Sequence, residues 1–122
     1  MNRIKTFEDL EVYQLSIKLA KKIYQLVQKL PRRERFNIID QLIRAISSVG
    51  ANIAEGFGRD TTKEFVKFLY NARGSLLETR HFLNLVKELN YVKNNDLENI
   101  FYDCNILGIK LNNLIKALKN KQ

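Results

Sequence analysis

The sequence predicts an all-α protein, an antiparallel up-down four-helix bundle forming one domain over residues 1–122. Three observations carry that reading. Apolar residues recur at helical spacing in four long segments, cap and breaker residues punctuate those segments at short intervals, and no strand alternation, internal repeat or low-complexity stretch intervenes. At 122 residues a domain buries roughly two-thirds of the surface its unfolded chain exposes, enough for an autonomous core. With 45% hydrophobic and 28% charged residues, the composition is that of a globular protein rather than a disordered chain.

The first helix is predicted over residues 7–30. Thr6 stands where it can cap the helix, with Asp9 three residues on in the reciprocal position of a capping box. Pro31 disfavours helical geometry at the residue before it and marks the stop. The second helix is predicted over 33–55, with Gly56 and Gly58 as its flexible exit. Thr61 and Glu64 form another capping pair and open a third helix over 62–89, with Phe65, Phe68, Leu69, Ala72, Leu76, Leu83 and Val86 at helical spacing. Asn95 and Glu98 repeat the cap signal before a fourth helix over 96–119, whose stripe is Leu97, Ile100, Phe101, Cys104, Leu107, Leu111, Leu114 and Leu118.

Charge is the strongest compositional signal. The chain has 21 Lys and Arg against 13 Asp and Glu, a formal charge of +8 and an isoelectric point near 9.7. Such a field attracts polyanions and makes nucleic acid the leading class of partner, beside the plainer reading of charge kept for solubility. Cys104 is the single cysteine, so no intramolecular disulfide and no cysteine-built zinc cage is available. The first residues lack the apolar core of a signal peptide, and no apolar run approaches the ~20 residues of a membrane span. A cytoplasmic protein with no membrane association is expected.

Two helices carry more buriable surface than a single bundle uses. On the first, Leu10, Tyr13, Ile17, Ala20, Tyr24 and Val27 make one seam and Val12, Leu15, Leu19, Ile23, Leu26 and Leu30 a second beside it. Together these cover about 200° at 100° per residue, wider than one core-facing stripe. The remaining arc, with Lys18, Lys21, Lys22, Gln25 and Lys29, reads as a solvated basic ridge. On the second helix Arg44 is the one charge between Gln41 and Ala54, the rest of the polar arc being Gln41, Ser48 and Asn52. A solvated face normally carries Lys and Glu, so this one is expected to be packed, with its polar groups hydrogen-bonded. Contact between subunits packs both surplus faces, and a homo-oligomer is the expectation.

The run Asn52-Ile53-Ala54-Glu55-Gly56-Phe57-Gly58-Arg59 stands with Phe7, Leu10, Val12 and Tyr13, with Pro31 and Glu34, with Gln41 and Arg44-Ala45, and with Gly74-Ser75 and Glu78. In these residues, over nearly the whole chain, it resembles the bacterial 23S rRNA-intervening-sequence proteins. That family's members are encoded in intervening sequences of large ribosomal RNA genes or elsewhere in bacterial chromosomes. A similar protein is the accessory factor of diversity-generating retroelements. The resemblance implies a four-helix bundle with a basic surface, assembled as a barrel-like homopentamer. Ile43, Gly50, Asn37 and Tyr13 depart from the residues frequent in the family; Ile43 stands where relatives often place a second Arg, so an anion contact is not expected at that position.

Catalytic chemistry finds little support. His81 is the only histidine, so a metal site would need completion by carboxylates, and Cys104 lies on another helix. The Arg-to-His spacing of a HEPN-type ribonuclease fails at both Arg73 and Arg80. Glu55 and Glu78 form a conceivable carboxylate pair, but no Glu-x-x-His motif accompanies them. Arg44, Asn52, Glu55 and Glu78 are read instead as a structural polar network, because an unpaired buried carboxylate is costly. Gly56-x-Gly58 is too short for a dinucleotide fingerprint. No catalytic residue, cofactor or metal is assigned.

Basic residues furnish the candidate site. Lys18, Lys21, Lys22 and Lys29 form the ridge, Arg32, Arg33 and Arg35 the densest cluster, and Arg73, Arg80 and Lys87 a row at heptad spacing. Arg59 and Lys63 flank the start of the third helix, where free amide groups favour an anion unless Asp60 and Glu64 serve there as caps. With no aromatic-rich RNA-reading motif, recognition of shape and charge is expected. Two readings follow: a non-catalytic oligomer binding RNA or DNA backbone, and a scaffold docking a protein partner such as a nucleic-acid-processing enzyme.

Overall fold

The computed structural model describes residues 3–121. Four helices account for most of them: α1 Glu11–Val27, α2 Ile38–Phe57, α3 Thr62–Glu88 and α4 Asn94–Lys119. Each packs on two neighbours, α1 on α2 and α4 and α3 on α2 and α4, while the diagonal pairs stay apart. Cross-helix partners fix the directions. Ser48 of α2 meets Ser75 of α3 and Gly56 faces Phe65 and Phe68. Lys22 of α1 and Lys29 just past its end meet Asp103 and Asp96 of α4, and Tyr70 and Arg73 of α3 meet Lys119 and Asn112. In each pair one number rises as the other falls, so neighbours run antiparallel.

The predicted core is where the helices meet. Leu19 and Ile23 of α1, Leu42, Ile46 and Ile53 of α2, Leu69 and Leu83 of α3, and Leu97, Leu107 and Leu111 of α4 are all fully buried. At about 1.5–3 kcal/mol for each such side chain taken from water, these ten positions dominate the drive to fold. Thr61 caps α3 as its sequence predicts, its Oγ1 accepting the Glu64 N–H at 3.1 Å.

Helix boundaries differ from the sequence reading at both ends of the first helix and at the start of the second. Asp9 does accept the backbone N–H groups of Thr6 and Lys5, at 3.0 and 2.9 Å. These bonds hold its carboxyl below the ordinary carboxylate range. What they close, however, is a 3-10 turn over Phe7–Asp9. Leu10 then turns extended, with ψ 130°, and buries its side chain while Phe7 stacks edge-on against Tyr13 at 4.8 Å. At the other end α1 stops at Val27, short of Leu30. The second helix begins at Ile38 rather than residue 33, because Arg32–Glu34 form a separate 3-10 turn after Pro31.

Two further details correct the reading. Gly56 is not a flexible exit but a buried residue inside α2. A Cβ there would lie 2.6 Å from the Cβ of Phe68 and 3.1 Å from the ring of Phe65, so glycine serves close helix approach rather than a turn. Asn95 and Glu98 do not form the anticipated cap, since α4 starts after Lys93 with no side-chain cap bond. The chain reversal before it rests on Asn90, the one non-glycine residue with positive φ among the described residues, at 56°. The N–H groups of Asn90 and Tyr91 reach the carbonyls of Lys87 and Val86, at 3.1 and 3.4 Å, a Schellman closure of α3.

Candidate nucleic-acid interface

The lysines of α1 lie along the seam with α4, and the structure divides them. Lys22 is bound to Asp103 and also donates to Asn99 at 2.6 Å, while Lys29 pairs with Asp96 at 3.1 Å. Near the other end of α1, Lys110 of α4 pairs with Glu11 at 3.3 Å. Lys18 and Lys21 have no carboxylate partner among the described residues. All four lysines of the ridge line a long surface groove, in two contiguous sections of about 590 and 310 Å³ that share Lys22 and Gln25. Tyr102 forms part of its wall and is 63% exposed. The groove therefore presents two unneutralised cations, two neutralised ones and an accessible aromatic ring.

Sequence reasoning missed these pairs because they join residues 67 and 81 apart in the chain. A signal was present: Lys22 and Lys29 have the same heptad spacing as Asp96 and Asp103, which an antiparallel register brings into line.

Arg32 and Arg33 sit on the turn between α1 and α2. Glu34, between them and Arg35, is only 9% exposed. Its Oε2 accepts the Tyr91 hydroxyl at 2.6 Å, while Oε1 is buried with no partner. The bond favours the protonated phenol and raises the Tyr91 pKa above its ordinary value. The guanidinium of Arg33 lies 5.6 Å from the Tyr91 ring. Thus the left-handed Asn90 delivers Tyr91 to the first turn, and Tyr91 ties the two connections together at one end of the bundle.

Arg59 and Lys63 occupy the opposite end, at the α2–α3 connection. Arg59 is engaged there: it lies 3.8 Å from the Glu55 carboxylate and 4.6 Å from the Phe68 ring. Thr61 already takes one of the amide groups of the α3 start. The sequence-predicted basic residues thus fall into three groups: the ridge with Arg32, Arg33 and Arg35, the distant pair Arg59 and Lys63, and the α3 row Arg73, Arg80 and Lys87, of which Arg73 donates to Asn112 at 3.0 Å.

Arg44, Asn52, Glu55 and Glu78 do not form one network within the chain. Arg44 pairs with Asp40 at 3.3 Å with its side chain 75% exposed, and Glu55 pairs with Arg59 on the surface. Asn52 donates to the carbonyl and Oγ of Ser48, at 2.8 and 3.0 Å, and Ser75 donates to that same Oγ at 2.9 Å. Asn52 and Glu78 do share an open depression with Tyr70, Asn71, Gly74 and Ser75. Of the α2 face read as packed, Gln41 and Arg44 are exposed within the chain and Ser48 and Asn52 half-buried, with Ser47, Ala51 and Glu55 exposed beside them; Ile17 and Tyr24 on α1 are exposed too.

Burial pushes the Cys104 thiol up to about 12, opposed by Arg80 and assisted by Asp103. His81 is exposed beside Phe82. Among the described residues no group of three His, Cys, Asp or Glu side chains is placed to hold a metal ion. No helix among them is long and apolar enough to cross a membrane.

A search of curated proteins finds no match to this chain. Among solved structures, the chain is similar to a protein of unknown function from the S23 ribosomal protein family of Bacteroides thetaiotaomicron, determined at 1.70 Å. The two share 27% identity and a TM-score of 0.80, over 86% of this chain and 98% of that one. The family model of the 23S rRNA-intervening sequence proteins matches residues 8–113. The signature run has its explanation in the packing described above, with Asn52 holding Ser48, Ile53 in the core and Gly56 admitting the α3 phenylalanines. By that match, which spans all four helices, the chain belongs to the 23S rRNA-intervening sequence protein family.

Proposed function

We propose that the protein is a non-catalytic, cytoplasmic, oligomeric nucleic-acid-binding protein that holds the sugar–phosphate backbone of RNA or DNA on its α1 side. One observation carries the reading: Lys18 and Lys21 in the α1–α4 groove, and Arg32, Arg33 and Arg35 beyond the end of α1, have no carboxylate partner among the described residues. Lys22 of α1 and Lys29 just beyond its end are neutralised by Asp103 and Asp96. On a chain of net charge +8, which also carries Arg73, Arg80 and Lys87 on α3 without a carboxylate partner among the described residues, unpaired cations attract phosphates at long range and release counterions on contact.

Self-association strengthens the reading. Ile17 and Tyr24, one heptad apart on α1, and the uncharged Ser47 and Ala51 on α2 supply surfaces for a second copy. The family resemblance suggests five. Repetition of a weak phosphate site around a ring multiplies its effect through effective concentration.

The test is fluorescence anisotropy with labelled RNA and duplex DNA across a salt series, with the oligomer's mass measured in parallel against the 14.3 kDa of one chain. Affinity is expected to fall log-linearly with salt, by roughly 0.7–0.9 log units per decade of salt for each phosphate neutralised. Lys18→Glu with Lys21→Glu is expected to weaken binding far more than Lys63→Glu. Absence of binding at low salt removes the proposal and turns attention to a protein partner, for which an acidic protein serves as the control.

A further inference from the structure

Phe36 is 86% exposed, more than any other large apolar side chain among the described residues. Single exposed apolar residues are common and by themselves mean nothing. Here the surroundings give the exposure a direction. Arg32, Arg33 and Arg35 share the turn with it, and the Arg35 guanidinium lies 5.7 Å from the Phe36 ring centroid. The one carboxylate in the turn, Glu34, points inward to Tyr91 and leaves the arginines unneutralised.

The turn is also held in place. The N–H groups of Glu34, Arg35 and Asn37 each bond a carbonyl three residues back at 3.0 Å, and the Glu34–Tyr91 bond anchors it across the end of the bundle. A partnerless buried Glu34 Oε1 is tolerated beside it, so the inward fold of this carboxylate is maintained against an unmet hydrogen bond. The result is a fixed tip bearing three cations and an exposed aromatic ring with Arg35 over one side of it.

We propose that this tip binds an unpaired nucleotide of a single strand, Phe36 stacking on the base while Arg32, Arg33 and Arg35 hold the flanking phosphates. The idea rests on the nucleic-acid reading above and narrows it. Every unpaired base offers a π-face to an aromatic platform, whereas in a duplex those faces are covered by the neighbouring pairs. A protein partner would call for an apolar patch continuing beyond Phe36, but its neighbours in the turn, Arg35 and Asn37, are exposed and polar. The tip thereby adds preference for loops, bulges or strand ends to the shape-blind attraction of the lysine groove.

The chain has no tryptophan, so Phe36→Trp supplies a single reporter that keeps the aromatic face. It is titrated with an unstructured oligoribonucleotide, the same sequence in DNA, and the duplex of each. Single strands are expected to quench its emission and duplexes to leave it unchanged, with the RNA and DNA arms showing whether the sugar matters. Phe36→Ala, at an exposed position that leaves the fold intact, is expected to weaken single-strand binding roughly tenfold or more while duplex binding and its salt slope stay put. If nucleic acid binds but Phe36→Ala has no effect and the tryptophan is not quenched, the stacking proposal falls and the backbone-binding reading stands. No binding of any nucleic acid removes both. A tryptophan blue shift that depends on protein concentration alone assigns Phe36 to contact between copies and overturns the proposal.

Discussion

Between α2 and α3 the helices meet through small and aromatic side chains; between α1 and α4 they meet through lysines and carboxylates. The first seam is closed by Gly56 beneath Phe65 and Phe68, and by the Ser48–Ser75 hydrogen bond. The second is bridged at intervals by Lys110–Glu11, Lys22–Asp103 and Lys29–Asp96, and between the bridges it opens into the groove. The dense packing around Gly56 leaves no room for a ligand, and that seam opens only farther along, into the depression of Asn52, Gly74 and Glu78. Spaced ion pairs instead hold α1 and α4 together and leave solvated space between them. The family signature lies on the closed seam and the candidate interface on the open one, so the residues that identify the fold are not those proposed to act.

The largest expected effect is on the closed side. Leu69 is fully buried one turn beyond Phe65, and Leu69→Ala is expected to cost about 2–5 kcal/mol in urea unfolding, from lost burial and the cavity left behind. A cost below about 1 kcal/mol would mean that this layer collapses or was never tightly packed.

A pair of glycine substitutions then contrasts tight and open positions on the same two helices. Alanine in a helix interior is favoured over glycine by about 1 kcal/mol. At Gly74, where a Cβ meets nothing within 4 Å, Gly74→Ala is expected to realise most of that gain. At Gly56 the new Cβ would strike the Phe68 Cβ at 2.6 Å, next to the backbone where it cannot swing away. Overpacking costs about 1–3 kcal/mol, so Gly56→Ala is expected to be a net loss of about 1 kcal/mol. Stabilisation at both positions would show that the α2–α3 seam is looser than its geometry. Destabilisation at Gly74 would place a second chain over the depression that it lines.

The two seams were not equally legible in sequence. Helical periodicity identified the core positions Leu69, Leu83, Leu97 and Leu107, and the Thr61 cap was readable because its partner stands three residues away. Gly56 was misjudged because its use depends on what faces it, and only the packed α3 phenylalanines distinguish a tight approach from a turn. The helix starts at residue 38 and not 33 because a buried Glu34, tied to Tyr91 from a distant connection, holds the preceding turn as 3-10. On the open seam the lysine ridge was visible, but its division into paired and unpaired cations came from carboxylates on another helix. Phe36 stood in plain view within Arg32-Arg33-Glu34-Arg35-Phe36; what sequence could not supply was its exposure.

The smallest stability effect is also the one that separates structure from function on the open seam. Lys22 and Asp103 are partly exposed, with side-chain accessibilities of 40% and 27%, and such pairs contribute roughly 0.2–1 kcal/mol. Lys22→Met keeps the aliphatic stem, and in a double-mutant cycle with Asp103→Asn its coupling is expected in that range at low salt. At 1 M salt, where screening acts within about 3 Å, the coupling should shrink toward zero. Nucleic-acid affinity should respond asymmetrically to the same two changes. Lys22→Met leaves the Asp103 carboxylate unpaired on the groove wall and should weaken binding modestly through repulsion, whereas Asp103→Asn releases Lys22 to contact phosphate and should strengthen binding more, steepening the salt slope by up to about one phosphate. Equal and opposite effects from the two variants would mean that only net charge matters and the groove has no special place. No effect from Asp103→Asn would move the phosphate track off the α1–α4 seam altogether, leaving the arginine tip as the contact.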